Sequence, residues 1–235
     1  MKRRVALFLV HLLLCVTAAS AQKIGVGAGL GMANSRMEDL KYFQEQILDT
    51  FPVKLGMVSS FPDYATASAG IYYQLYRAVR IGAGYAFTST GARSNYSDYS
   101  GSISTDFLAK SHRLGAYVCY AFLSRDRYDL SVYGRVDANI TLLDITHSLY
   151  VMGYGDRATT KYISFSPALT GGLEFLFHFR DFSVGVDGGY LADIPGELRN
   201  RDTDIKLSDP DDQSRILTSD WTGWRLQAKV LIWFD

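Results

Sequence analysis

The chain has 235 residues, 48% of them apolar, and its 24 Lys and Arg balance its 24 Asp and Glu. No basic stripe accompanies that balance, so a nucleic-acid partner is not expected. The only cysteines are Cys15 and Cys119, too few for a disulfide framework.

Lys2, Arg3 and Arg4 precede an apolar stretch over 5–16 that only His11 interrupts, and Ala19, Ser20 and Ala21 follow at the positions a signal peptidase reads. The pattern predicts a cleavable signal peptide over 1–21. A lipoprotein anchor at Cys15 is the rival reading, but Leu12, Leu13 and Leu14 stand where a lipobox needs a small residue. Cleavage removes three bases and no acid, and it takes Cys15 away, so an exported mature chain cannot form an internal disulfide. No apolar run after Ala21 is long enough for a membrane helix.

The mature chain, 22–235, opens on a strand over 24–32. Gly25, Gly27, Gly29 and Gly31 alternate with Ile24, Val26, Ala28, Leu30 and Met32. A dinucleotide loop would need glycine at Leu30 and a helix directly after, so period-two spacing favours a strand. The long first connection, 33–67, carries Met37, Leu40, Phe43, Ile47, Leu48 and Phe51 at helical spacing between charged residues. This amphipathic segment is expected to cap whatever lies below it; lying on the outer leaflet or docking a partner are its other uses.

A second strand over 69–76 sets Ile71, Tyr73 and Leu75 on one face. A third over 79–88 opposes Val79, Ile81, Ala83, Tyr85 and Phe87 to Arg80, Gly82 and Gly84. The fourth opposes Leu114, Ala116, Val118, Tyr120 and Phe122 to Arg113, Gly115, Tyr117 and Cys119. The fifth opposes Val132, Val136, Ala138 and Ile140 to Tyr133, Arg135, Asp137 and Asn139. The sixth sets Phe165, Leu169, Leu173 and Phe175 against Thr170, Gly172, Glu174 and His178. Pro167 in this strand lacks a ladder donor and predicts an edge, a strand end or a bulge near the rim. The seventh opposes Phe182, Val184, Val186 and Tyr190 to Ser183, Gly185, Asp187 and Gly189. The last has an unbroken apolar row, Trp224, Leu226, Ala228, Val230, Ile232 and Phe234, against Arg225, Gln227 and Lys229.

Short connections (77–78, 124–128, 180–181) alternate with long ones (33–67, 89–110, 143–163, 192–219), as in an even-stranded transmembrane barrel with periplasmic turns and extracellular loops at opposite ends. Phe122, Phe177, Phe179, Phe182 and Phe234 fall at the short-turn end, and Phe87, Phe165, Tyr190 and Trp224 at the long-loop end, as two aromatic belts. The expected fold is all-β: an eight-stranded antiparallel up-and-down transmembrane β-barrel with four long extracellular loops, three short periplasmic turns and both termini periplasmic. A secreted lipocalin-like barrel with an apolar lumen also explains the alternation. It would, however, place Arg135, Asp137, Arg225 and Lys229 in water and leave the belts unexplained.

Eight strands enclose an interior that side chains just fill. Arg80, Arg113, Arg135, Arg225 and Lys229 are predicted to face Asp137, Glu174 and Asp187 there as a lumen polar network. Five bases exceed three acids, so one or two bases are expected to reach water or a loop acid. Arg135, Tyr133 and Tyr117 either fill the space beside the glycine wall, making a packed plug, or leave a narrow passage that favours anions.

With its cleavable signal, its 24–31 opening strand, its alternating loops and its terminal Val230, Leu231, Ile232, Trp233 and Phe234, the chain resembles the small eight-stranded outer-membrane proteins of Gram-negative bacteria, of the OmpA-barrel, OmpX and OmpW type. The resemblance covers most of the mature chain. It implies the cell outer membrane, with outer-membrane lipid and lipopolysaccharide as surroundings. It also implies recognition by the barrel-assembly machinery through Val230, Ile232 and Phe234, although here Asp235 follows the aromatic. A porin-like OmpW-type passage for apolar compounds needs an apolar lumen, and this one is polar through the fifth strand.

Some such barrels modify lipid A, which the resemblance therefore also allows here. His147 and Ser148 are adjacent and point to opposite faces of a strand; Asp144 or Asp187 near a histidine is not required by any spacing, and no catalytic residue is assigned. Asp202, Asp204, Asp209, Asp211 and Asp212 are interspersed with Arg199, Arg201, Lys206 and Arg215 without an EF-hand pattern, so a solvated loop is expected and no metal site. The third loop is expected to continue as a hairpin turning at Gly155 and Asp156, whose free edge recruits an extracellular ligand by strand addition. The expectation is a monomeric, non-enzymatic barrel without cofactors that stabilises the envelope and binds partners through its loops. The alternative is a narrow channel or solute pocket, and lipid A modification is a third.

Overall fold

The computed structural model describes residues 23–50, 56–152 and 154–234; the expected signal peptide and Phe51 lie outside them. Its strands are β1 (Lys23–Ala33), β2 (Gly56–Ser60), β3 (Tyr64–Tyr76), β4 (Val79–Ser97), β5 (Gly101–Ser124), β6 (Tyr128–Val151), β7 (Tyr154–His178), β8 (Phe182–Asp193), the short β9 (Gly196–Glu197), β10 (Arg199–Asn200) and β11 (Thr218–Ser219), and β12 (Gly223–Phe234). One helix, α1 (Glu38–Thr50), follows β1.

Eight of these strands close a ring in the order β1, β3, β4, β5, β6, β7, β8, β12, every neighbouring pair antiparallel. The seam joins the first strand to the last, from Ile24 opposite Phe234 to Ala33 opposite Arg225. Successive side chains point to opposite faces of a strand, and the apolar rows face outward. Leu30 is 72% exposed, Leu114 66% and Phe165 67%, whereas Arg80, Glu174 and Lys229 are buried inside. That inversion excludes the lipocalin-like alternative.

The barrel wall rises well past the apolar band at the long-connection end. The 89–110 stretch is no loop. β4 and β5 stay paired from Val79 opposite Tyr120 to Ser97 opposite Ser102. β6 and β7 stay paired up to Val151 opposite Tyr154, so the third hairpin turns around Met152, which has a positive φ of 46°. The expected turn at Gly155 and Asp156 is displaced, since those residues lie in the ladder opposite Tyr150 and Leu149. β2 extends the protruding sheet on its β4 side. Pro167 makes no bulge. It pairs with Ala138 in unbroken register and lies just past the last β7–β8 pair, Ala168 and Asp193, where a missing donor costs nothing on that side.

Over the mouth, α1 and the 194–222 connection fold inward. Met37, Leu40 and Phe43 of the helix side meet Phe61, Phe107 and Ile145 from the barrel rim and Leu198, Leu207, Leu217 and Trp221 from the last long connection. α1 therefore caps the barrel, as its apolar stripe predicts. Asp39 in its first turn ties the two covering segments together: its carboxylate accepts from Arg215 Nη2 at 2.9 Å and from Thr218 Oγ1 at 2.6 Å. Gln44, buried on the same helix, donates to Ser94 Oγ at 2.9 Å and to the Ser59 carbonyl at 3.0 Å.

Candidate functional site

All eight residues predicted for the lumen point into it, and four of them form one cluster near the short-turn end. Glu174 of β7 is wholly buried and bonded to Arg80 of β4 and Lys229 of β12. Lys229 also reaches Asp187 of β8 at 2.9 Å. Tyr117 Oη donates to Glu174 at 2.9 Å, and Tyr133 Oη donates to Asp187 at 3.4 Å. Two bases meet two acids here, and both tyrosine rings lie under the Lys229 ammonium, at 5.7 and 5.9 Å from their centroids. Buried charge is tolerated when it is paired and hydrogen-bonded in this way. Cys119 sits in the same layer, 3.5 Å from Arg80, as a free buried thiol.

A second group lies in the same lumen. Arg135 Nε donates to Asp137 at 2.6 Å, and its Nη2 donates to the Gly84 carbonyl at 3.0 Å. Arg113 and Arg225 find no such partner. The sequence predicts that surplus bases reach water or a loop acid, but both are buried, 3% and 8% exposed, and neither pairs with a carboxylate among the described residues. Asp193, a further inward acid toward the mouth, is spent elsewhere: it accepts from Ser166 Oγ at 2.8 Å and from the Trp221 backbone N–H at 3.1 Å.

The bare glycine wall is filled both by its neighbours and from across the barrel. A Cβ on Gly25 would lie 2.7 Å from the Trp233 ring, and one on Gly27 would lie 2.9 Å from the Tyr72 ring. Of the expected residues, Arg135 reaches the wall at the Gly84 carbonyl and Tyr117 packs edge-on against Tyr72, 5.5 Å between centroids, while Tyr133 turns to Asp187. The unexpected fillers are Tyr72 and Trp233. Their inward register positions were readable, but how far a ring reaches across a closed barrel was not.

Beneath the ionic cluster a cavity of about 850 Å³ opens at the short-turn end, lined in part by Lys23, Gln74, Arg77, Asp129, His178 and Trp233. Sequence reading missed the serine, histidine and carboxylate that meet beside it. Ser183 Oγ lies 2.8 Å from His178 Nδ1, and His178 Nε2 lies 2.9 Å from Asp129. Ser183 is fully buried and also accepts from Trp233 Nε1 at 3.0 Å. The chain of bonds ties the end of β7 to β6, β8 and β12.

His147 lies on the protruding hairpin with Nδ1 3.1 Å from Thr105 Oγ1, and partial burial pulls its pKa down. Neither Asp144 nor Asp187 contacts it: Asp144 faces Lys110 at 4.0 Å, and Asp187 belongs to the lumen. In the last long connection, Glu197 joins Arg199 at 3.2 Å and Lys206 at 2.8 Å, and Arg215 joins Asp209 at 3.6 Å. Among the described residues no three His, Cys, Asp or Glu converge as metal ligands would. Val230, Ile232 and Phe234 stand on the outer wall, about half exposed.

The ring, the outward apolar wall and the filled interior define the molecule as a small eight-stranded up-and-down β-barrel. No family model matches the chain, and no curated protein matches it. Among solved structures it is similar to Neisserial surface protein A (NspA), at 13% identity and a TM-score of 0.42, covering 92% of this chain and 98% of that one. It is also similar to Ail, the attachment invasion locus protein of Yersinia pestis, at 12% identity and a TM-score of 0.38, covering 91% and 99%.

Proposed function

We propose that the chain is an integral outer-membrane barrel with a closed lumen, which stabilises the envelope and offers its protruding hairpins to surface partners. The observation that carries this reading is the double obstruction of the interior. The Arg80, Glu174, Lys229 and Asp187 cluster packs against Tyr72, Tyr117 and Tyr133 low in the barrel, and the apolar cap covers its mouth. A lipid-facing band supports the membrane setting, because strands of a membrane barrel put apolar residues outward and polar ones in the lumen. Both strand ends at the seam then lie on the periplasmic side with the short turns.

The hairpin tips support the partner role. Tyr99, Tyr150, Met152 and Tyr154 project there, and Tyr99 and Tyr154 are almost fully exposed. The outer run of β7, 154–160, pairs with β6 alone, which leaves a free edge for strand addition.

Conductance of the refolded mature chain in a planar bilayer tests the closed lumen, alongside a variant lacking residues 33–52. Silence in the intact protein is expected. Silence in the deletion as well assigns closure to the ionic cluster, whereas opening in the deletion assigns it to the cap. Discrete conductance in the intact protein overturns the reading in favour of a narrow passage.

The 850 Å³ cavity favours one second reading, a dead-end pocket for a small solute entered from the short-turn side. Its mixed lining of Lys23, Arg77, Asp129 and His178 suits a zwitterionic or anionic molecule.

A further inference from the structure

We infer that the barrel encloses a small inorganic anion, chloride in a saline medium, held between Arg113 and Arg225 under the cap. The inference does not rest on a structural or a transport role for the protein, since an occluded ion suits either.

The charges inside the barrel separate into two groups. In the lower one, Arg80 and Lys229 are matched by Glu174 and Asp187. In the other, Arg135 takes Asp137, and Arg113 and Arg225 remain. Each of the two is more than nine-tenths buried, and they lie close enough to repel one another. Arg225 Nε, Nη1 and Nη2 all lack a hydrogen-bond partner, and so does Arg113 Nε. An unpaired buried guanidinium is among the most costly groups a protein can hold, and two side by side compound that cost.

The surroundings supply more donors than acceptors. Ser35 Oγ is buried without a partner and lies beside Tyr64. The Tyr64 hydroxyl donates to the Asn34 carbonyl at 3.1 Å and approaches Arg225 outside hydrogen-bonding geometry. Asp137 is the nearby carboxylate; Arg135 holds its Oδ1, and its Oδ2, buried without a partner, is one acceptor against the several free guanidinium N–H groups. Guanidinium N–H groups converging with a hydroxyl are how proteins bind anions. Tyr64 and the Arg135–Asp137 pair border the two guanidinium groups.

Tyr64 and Trp221 close this site from above, packed edge-on with centroids 5.5 Å apart, and both belong to the apolar cap. The ionic cluster and its tyrosines close it from below. The ion is thus trapped when the cap folds, and it becomes part of the folded barrel by linkage: whatever binds only the folded state stabilises it.

The test is thermal unfolding of the refolded mature chain in detergent, followed by heat-modifiable gel mobility at constant ionic strength while sodium chloride replaces sodium gluconate. A saturable rise in Tm with chloride is expected. Arg225→Gln and Arg113→Gln are expected to abolish that rise, while Arg127→Gln on an exposed turn keeps it. Crystals grown in sodium bromide give the independent arm, with an anomalous peak expected between Arg113 and Arg225. That arm decides even if the arginine variants fail to fold. Equal Tm in the two salts with no bromide peak overturns the inference, and shows Arg113 turned onto Asp137 with Arg225 hydrated. A chloride response that survives both arginine variants overturns it too. Stabilisation by phosphate but not chloride would replace the monatomic ion with an oxyanion.

Discussion

The two ends of the lumen are filled by opposite chemistries. Low in the barrel, charged side chains carried by the strands themselves pair across the ring, with Glu174 receiving both Arg80 and Lys229. At the mouth, Trp221, Leu217, Leu198 and the α1 side chains bring apolar surface in from the connections. The ionic end is specific and brittle, because Glu174 takes its partners Arg80 and Lys229 from strands two or more places round the ring. The apolar end is tolerant, because many contacts share the load and the segments that supply them can shift.

Glu174→Ala breaks that contrast most severely. It strands Arg80 without a carboxylate and leaves Lys229 with Asp187 alone, and breaking one partner of a buried pair costs about 3–5 kcal/mol. The expected result is a large drop in the urea midpoint of the refolded protein. Replacing Arg80, Glu174, Lys229 and Asp187 together with Met, Leu, Met and Leu should recover most of it; a quadruple variant no better than Glu174→Ala would show that shape, not charge, makes this layer.

Trp221→Ala is the matching change in the cap. Core Trp truncations cost about 3–5 kcal/mol, and the lower end applies where a connection relaxes into the space. The loss should be local: early proteolytic cutting within 194–222, with the barrel itself resisting protease as before. Equal loss of barrel resistance would join cap and barrel into one cooperative unit.

The smallest effect belongs to the protruding hairpin of β4 and β5. Arg93 Nη2 donates to Asp106 at 2.8 Å, and this guanidinium, outweighing the opposing effect of burial, holds the Asp106 carboxyl below its usual pKa. A carboxyl depressed in the folded state stabilises fully above its unfolded pKa and loses that contribution as pH falls through the folded value. The hairpin should therefore loosen only under acid, below about pH 4. Because Arg93 is exposed, the pair is worth less than about 1 kcal/mol. Amide exchange along 93–106, with Asp106→Asn as the control that removes the pH dependence, checks it.

The alternation made the wall legible. Each inward residue from Arg80 to Lys229 was readable because one face of each membrane strand is apolar and the other is not. Where that contrast ends, so does the signal. Thr88, Ser89, Thr90, Gly91 and Ala92 continue β4 with Thr88, Thr90 and Ala92 buried on the inner face, but neither face is apolar in sequence, so nothing marks their period and the hairpin reads as a loop. Pairing was not legible either. Which acid meets which base depends on the register with which the ring closes, a property of all eight strands at once. Asp193 and Trp221 escaped for a related reason: both lie where a strand gives way to an infolded connection, and their burial depends on where that connection comes to rest. Ser183, His178 and Asp129 are each ordinary at their positions, and only closure brings them together.

The seam between β1 and β12 carries a kinetic consequence. Ile24 must find Phe234 across nearly the whole chain, and Ala33 must find Arg225. Every other neighbouring pair in the ring closes from closer in sequence, so the search entropy is concentrated in this last step. Until it is taken, both flanking strands present unsatisfied backbone edges, and the chain is exposed to misassociation. Ring closure is therefore the expected rate-limiting event, and the ten-residue register of that one ladder acts as the latch.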